Sequence, residues 1–141
     1  MAAQTSSELP PGFSPVIALL AISGMWEDQL GAALKDLGLS TRKFGLLGHI
    51  GVEPGISFSE LARRSNITVQ SAHTAVRSLV DDGLVADATA QAGAASDLSV
   101  TAKGAAVLAQ ARERLSELDG ALAARLPKVA DALSGIRAGA V

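Results

Sequence analysis

The sequence predicts a mainly α-helical chain with one small β-hairpin, on three observations. Apolar residues recur every three or four positions through most of its length. Serine or threonine precedes those runs at Ser14, Ser40, Ser57, Thr68 and Thr101, where a side-chain oxygen caps a helix. Hydrophobic residues make up 48% of the chain and aromatics only 3%, which favours closely packed alanine- and leucine-rich helices over strands.

Residues 1–13 are small, polar and proline-containing, and are expected to form a disordered tail. Ser14-Pro15 then opens a helix, since proline at the first helical position sacrifices no bonded amide. That helix is predicted to run to about Leu37, with Gly38 as its stop and Leu19, Trp26, Leu30, Leu34 and Leu37 along one stripe. Ser40 caps a second helix from Thr41 to about Ile50, and residues 51–55 form a loop. Ser57 and Glu60 have capping-box spacing, which predicts a reciprocal pair of side-chain-to-amide bonds and a helix reaching Ser65. A break at Asn66-Ile67 separates it from a helix over Val69–Asp81, capped by Thr68, with Ala72, Val76, Leu79 and Val80 facing inward.

Asp82-Gly83 ends that helix, because glycine tolerates the left-handed conformation of a C-terminal cap. Leu84-Val85-Ala86 and Leu98-Ser99-Val100 are predicted to be two short strands around a loop of small residues. Thr101 caps a long last helix, and a stripe at Leu108, Ala111, Leu115, Leu118, Leu122, Leu126, Val129, Leu133 and Ile136 continues past Pro127. That proline must kink or restart the helix. Helix, turn, helix and hairpin in this order make residues 39–101 a winged helix-turn-helix, a DNA-reading module. Residues 14–38 and 102–141 flank it as helices. They either cap the module within one chain or pair with a second copy. Dimerisation through Leu19, Leu115, Leu118, Leu122 and Leu126 is the expectation, since the stripe exceeds what one module needs for its core. A two-fold operator also requires two reading heads.

The formal net charge is −2, so nothing attracts the whole chain to nucleic acid. Between Arg42 and Val80, though, five cations (Arg42, Lys43, Arg63, Arg64, Arg77) oppose two carboxylates, a local charge of +3. That is the footprint of a DNA-facing surface. The first turns of a recognition helix enter the major groove, which makes Val69, Gln70, Ser71, His73 and Thr74 the candidate base readers. Arg77 lies further along for a guanine or a phosphate. Arg42, Lys43, Arg63 and Arg64 are assigned to phosphates, which position a protein without reading sequence. Each arginine taken alone also reads as an ordinary solvated charge, and His73 equally as a plain surface residue.

The wording of these segments resembles the MarR family of bacterial transcription regulators. The similarity runs from Leu39-Ser40 with Phe44 and Leu47, through Glu60-Leu61-Ala62 and Thr68 to Val80. It continues with Asp82-Gly83-Leu84-Val85 and Val100-Thr101-Ala102-Lys103-Gly104, and covers roughly residues 14–126. The resemblance implies a homodimer that binds double-stranded operator DNA and is released by a small aromatic or amphipathic ligand. A crevice holding that ligand would be lined by residues such as Met25, Trp26, Phe44 and His49, for which simple packing is the competing reading. One departure stands out. MarR-like wings carry an Asp-Arg-Arg-type tip, and in register that tip falls on Ala92-Gly93-Ala94 here. No Lys or Arg occurs from Ser78 to Ala102, whereas Asp81, Asp82, Asp87 and Asp97 do. Either the protein binds its operator with the wing standing off, or DNA binding has degraded and the dimer serves as a ligand or partner module.

The inventory argues against other classes. There is no cysteine, which removes disulfides, thiolate zinc sites, thiol nucleophiles and the cysteine-oxidation switch of the peroxide-sensing MarR branch. Tyrosine, a phosphate-cradling glycine loop and a nucleophile elbow are also absent, so no catalytic residues and no cofactor are expected. Two histidines on different helices are a poor basis for a metal site. The apolar run Phe13–Trp26 is too short to span a bilayer and lacks a basic leader, so no membrane partner is expected and the chain reads as cytoplasmic.

Overall fold

The computed structural model describes residues 9–88 and 97–136. The order of elements is α1 (Pro15–Leu34), a 3-10 turn (Lys35–Leu37), α2 (Thr41–Val52), α3 (Phe58–Ser65), α4 (Val69–Asp81), β1 (Val85–Asp87), β2 (Leu98–Val100), α5 (Ala102–Arg125) and α6 (Pro127–Ser134). All five capping residues act as their sequence positions require. Ser14, Ser40, Ser57, Thr68 and Thr101 each accept the backbone amide three residues on, at 3.0–3.3 Å. Gly38 and Gly83 follow their helices with φ of +71° and +74°, a conformation an L side chain resists.

Asn66 takes the left-handed position at the end of α3 (φ +50°), and the next amide, of Ile67, bonds the Ala62 carbonyl at 3.0 Å. This reversal sets α4 against α3, and both pack around α2. The core is aliphatic: Leu34, Leu46, Leu47, Ile50, Leu61, Val76, Leu79 and Leu98 have essentially no exposed surface, and among the described residues no polar one is buried with them. Leu126, with φ −132° and ψ 60°, breaks the helix ahead of Pro127 and separates α5 from α6.

Three local expectations change. The first strand is Val85–Asp87, not Leu84–Ala86, paired antiparallel with Val85 opposite Val100 and Asp87 opposite Leu98. Leu84 lies outside the ladder because its amide donates to the Leu79 carbonyl at 2.9 Å, closing α4, although its own carbonyl still accepts the Thr101 amide at 3.0 Å. Helix α2 continues past Ile50 to Val52. The capping box at Ser57 is half formed. Ser57 caps Glu60, but the Glu60 carboxylate turns to Arg63 and Arg64, because charged guanidinium donors outcompete a neutral amide. The expected tail lies largely outside the described residues, and the wing tip Ala92-Gly93-Ala94 wholly so.

Gly104 fixes how the hairpin meets α5. A Cβ there would lie 2.8 Å from Val100 Cγ1, 2.9 Å from the Leu84 carbonyl carbon and closer still to its oxygen. Thr101 adds a bond from its hydroxyl to the Gly83 carbonyl at 2.6 Å. The start of α5 is thereby pressed onto the strand that begins the wing.

Candidate nucleic-acid interface and adjoining clefts

Helix α4 presents its first three turns outward. Val69, Gln70, His73, Thr74 and Arg77 are exposed, while Ala72, Val76 and Leu79 are buried beneath them. The residue at the leading tip, Val69, is apolar and keeps 44% of its surface exposed. Ser71 is half-buried, and its hydroxyl accepts from Thr68 Oγ1 at 2.9 Å. Thr74 donates its hydroxyl proton to the Gln70 carbonyl at 3.1 Å and so offers a partner only acceptor capacity. His73 is not loose: its ring stacks on Phe58 of α3 at 3.8 Å between centroids and 16° between planes. His73 and Arg77 share a small cavity of about 180 Å3 with Phe58, Val76, Val80 and Asp87 of β1.

The four residues assigned to phosphates do not form one open clamp. Arg63 holds Glu60 at 2.6 and 2.9 Å, and Arg64 holds both Glu60 at 2.8 Å and Glu53 at 2.5 Å. The two guanidiniums bring the Glu60 carboxyl down to about 2, and the carboxylates in turn raise both arginines. Arg63 nevertheless keeps 72% of its side chain exposed, whereas Arg64 keeps 29% and ties the α2–α3 loop to α3. Lys43 reaches Asp82 at 3.2 Å, and Lys103 donates to the Asp82 carbonyl at 2.8 Å. Both lysines therefore sit at the C-terminal end of α4, the end away from its exposed tip. Arg42 lines a separate cavity of about 690 Å3 with Glu27, His49, Ser65 and Asn66. The acidic count at the wing base is likewise reduced, since Asp82 is spent on Lys43, and Asp87 and Asp97 do not stand free.

The four residues expected to share a crevice are dispersed. Phe44 packs against the core, His49 lines the Arg42 cavity and Met25 is exposed on α1. Trp26 lines a groove of about 340 Å3 between α1 and α5, with Leu30, Leu115, Leu118 and Leu122. Three of the expected dimer leucines thus face their own α1, and Leu126 sits at the α5–α6 break. The exposed apolar surface lies elsewhere, at Phe13, Val16, Ile17, Leu19 and Leu20 at the start of α1 and at Leu133 and Ile136 around α6. Period alone does not tell which neighbour a stripe meets, and α5 meets α1.

Several working residues escaped the sequence. Glu60 lies three and four residues before Arg63 and Arg64, an ion-pair spacing that makes it compete with phosphates for both guanidiniums. Arg114 on α5 grips Asp36 and also donates to the Ala33 carbonyl at 2.6 Å, clamping the end of α1; nothing local signals that pair. The Trp26 indole N–H and the Ser65 hydroxyl are buried with no hydrogen-bond partner among the described residues. No described helix is long and apolar enough to cross a membrane, and no described cluster of His, Asp and Glu is arranged for a metal ion.

The pattern of the MarR family matches residues 37–93. The chain is 33% identical over 109 residues to the HTH-type transcriptional repressor Rv2887 of Mycobacterium tuberculosis, covering 77% of this chain and 78% of that protein. A crystal structure of Rv2887 with salicylic acid superimposes with a TM-score of 0.66 at 31% identity, over 84% of this chain and 88% of that one. Its complex with DNA gives 0.69 at 30% identity, over 81% and 85%. Sco5413, a MarR family regulator of Streptomyces coelicolor, shares the fold at 0.72 with 20% identity, over 84% and 85%.

Proposed function

The chain belongs to the MarR family of transcription regulators, and from that premise we propose that it is a homodimer reading a two-fold operator through α4. The observation that carries this reading is the exposed tip of α4, where Val69, Gln70, His73 and Thr74 are held in place by the Thr68 cap and the Phe58 stack. An exposed valine beside an amide and an imidazole suits a thymine methyl flanked by base edges in the major groove. Arg77 extends the same face toward the wing, and Arg63 adds an exposed cation at the end of α3. Arg64 and Lys43 act chiefly by holding the module together. Rv2887, a relative of the same length class, has been crystallised on DNA, which supports the same use of the fold here.

Dimerisation runs through the start of α1 and through α6. Phe13, just ahead of α1, and Val16, Ile17, Leu19 and Leu20 in its first turns gather on one side of that helix, within an arc of about 160° at helical spacing, more apolar surface than a monomer keeps in water. Leu19 keeps its assignment to this interface; Leu115, Leu118 and Leu122 are better placed to line a ligand groove with Trp26. Ligand release follows from that groove, which lies where α1 and α5 meet close to the start of α2. No catalytic role belongs in this account. The test is binding to the DNA upstream of the protein's own gene against scrambled DNA. Equal affinity for both sequences would favour the second reading, a winged-helix dimer serving as a ligand or partner module. The internal pairing of Arg64 and Lys43 is the observation on its side.

A further inference from the structure

The α1–α5 groove has an apolar floor and a rim of one charge sign. Trp26 and Leu30 on one wall and Leu115, Leu118 and Leu122 on the other enclose about 340 Å3, within the size range of small-molecule sites. The ionisable side chains that line it are both carboxylates, Glu27 from α1 and Asp119 from α5, and both are exposed. The cation nearest in kind, Arg42, belongs to the neighbouring cavity, which shares only Glu27 and Thr41 with this one.

We propose that this groove binds a cationic aromatic or amphiphilic molecule, its apolar body against Trp26 and the leucines and its positive group beside Glu27 and Asp119. This rests on the ligand-released regulator proposed above and adds the charge class of the ligand. An indole face attracts a cation electrostatically, and the two carboxylate side chains on the rim add attraction of the same sign. An anion of the same shape meets two like charges on this wall. Rv2887 has been crystallised with salicylic acid, an aromatic acid; here such a molecule would meet Glu27 and Asp119 and no cation among the residues lining the groove. A second copy of the chain is the weaker occupant. The groove is walled by two helices of one protomer with half-buried linings, while the open apolar surface is at Phe13–Leu20 and Leu133–Ile136.

The chain has one tryptophan and no tyrosine, so its emission reports on this wall alone. Tetraphenylphosphonium and tetraphenylborate, alike in shape and opposite in charge, are titrated into the full-length protein alongside salicylate, with operator binding measured in the same samples. The phosphonium should change Trp26 emission saturably and bind at least about tenfold tighter than the borate. Glu27→Gln and Asp119→Asn should each weaken the phosphonium by about two- to fivefold, the range of a single exposed charge pair, and narrow the gap between the two ions. Equal or tighter binding of the borate, or indifference of the phosphonium to both substitutions, overturns the proposal. Salicylate acting alone also overturns it, and leaves the ligand-released regulator standing. Emission that follows protein concentration and ignores all three compounds assigns the groove to a second copy. Loss of operator preference with phosphonium binding intact removes the regulator and keeps the site.

Discussion

Replacing Gly104 with alanine should destabilise the protein, although the same change elsewhere in α5 should stabilise it. Within a helix, glycine to alanine gains about 1 kcal/mol of propensity. Gly120, with nothing within 4 Å of its would-be Cβ, should show that gain. At Gly104 the new methyl meets Val100 Cγ1 at 2.8 Å and the Leu84 carbonyl group at 2.9 Å or less. Ordinary carbon contacts begin near 3.5 Å, so α5 must separate from Leu84, just ahead of β1, and from Val100 of β2 by close to an ångström. Backbone cannot yield as a flexible side chain does, and overpacking of this kind costs about 1–3 kcal/mol. The movement also strains the bonds from the Thr101 amide and hydroxyl to Leu84 and Gly83, worth about 1 kcal/mol each. The net expectation is a loss of about 2–4 kcal/mol at Gly104 against a gain of about 0.5–1 kcal/mol at Gly120. Urea unfolding followed by circular dichroism at fixed protein concentration measures both. A Gly104→Ala protein as stable as the Gly120→Ala protein would refute the close approach of α5 to the wing base.

Other perturbations separate the roles of the remaining residues. Glu60→Gln should release Arg63, while Glu53 still holds Arg64, and so tighten binding to all DNA, steepening the salt dependence by about one unit per phosphate newly contacted; gel-shift titrations across a salt series check this, and weaker binding would restore Glu60 to a purely structural role. The Glu60 carboxyl lies at about 2 in the folded protein against an ordinary 4.5, so its contribution is fully present above about pH 4.5 and is lost as pH falls toward 2. Carboxyl-carbon NMR should place its titration at that low end, and a midpoint at the ordinary value would contradict the double arginine clamp. Gln70→Ala should change which base is preferred at one operator position at a cost of about 1–3 kcal/mol, where Arg63→Ala should weaken all sequences alike. Ile17→Asp or Leu20→Asp should give a monomer by sedimentation, since each puts a charge into an apolar seam; a dimer of unchanged mass would move the interface off α1.

The fold was legible in the sequence because its signals are local. Each of Ser14, Ser40, Ser57, Thr68 and Thr101 announces a helix start by its own chemistry, and α4 runs over the very residues its periodicity marks out, Val69–Asp81. The site was legible only in part, because exposure follows from one helix but pairing needs two. The outward face of α4 could be read from its period. That Lys43 meets Asp82, 39 residues away, and that Arg114 meets Asp36, 78 away, could not. The leucines of α5 show the same limit: an apolar stripe demands a partner surface without saying whether it comes from the same chain. Gly104 was visible as part of a resemblance, yet its reason, the Leu84 carbonyl beneath it, exists only in three dimensions.

The central claim is that the exposed tip of α4 reads sequence, and it is tested most directly by competition between upstream operator DNA and scrambled DNA at a single physiological salt concentration. The account predicts a preference of at least about a thousandfold for one two-fold site, as specific regulators show. It also predicts that Gln70→Ala erodes that preference while leaving binding to scrambled DNA unchanged. Equal affinity for operator and scrambled sequences, in the native protein and the Gln70 variant alike, would contradict it.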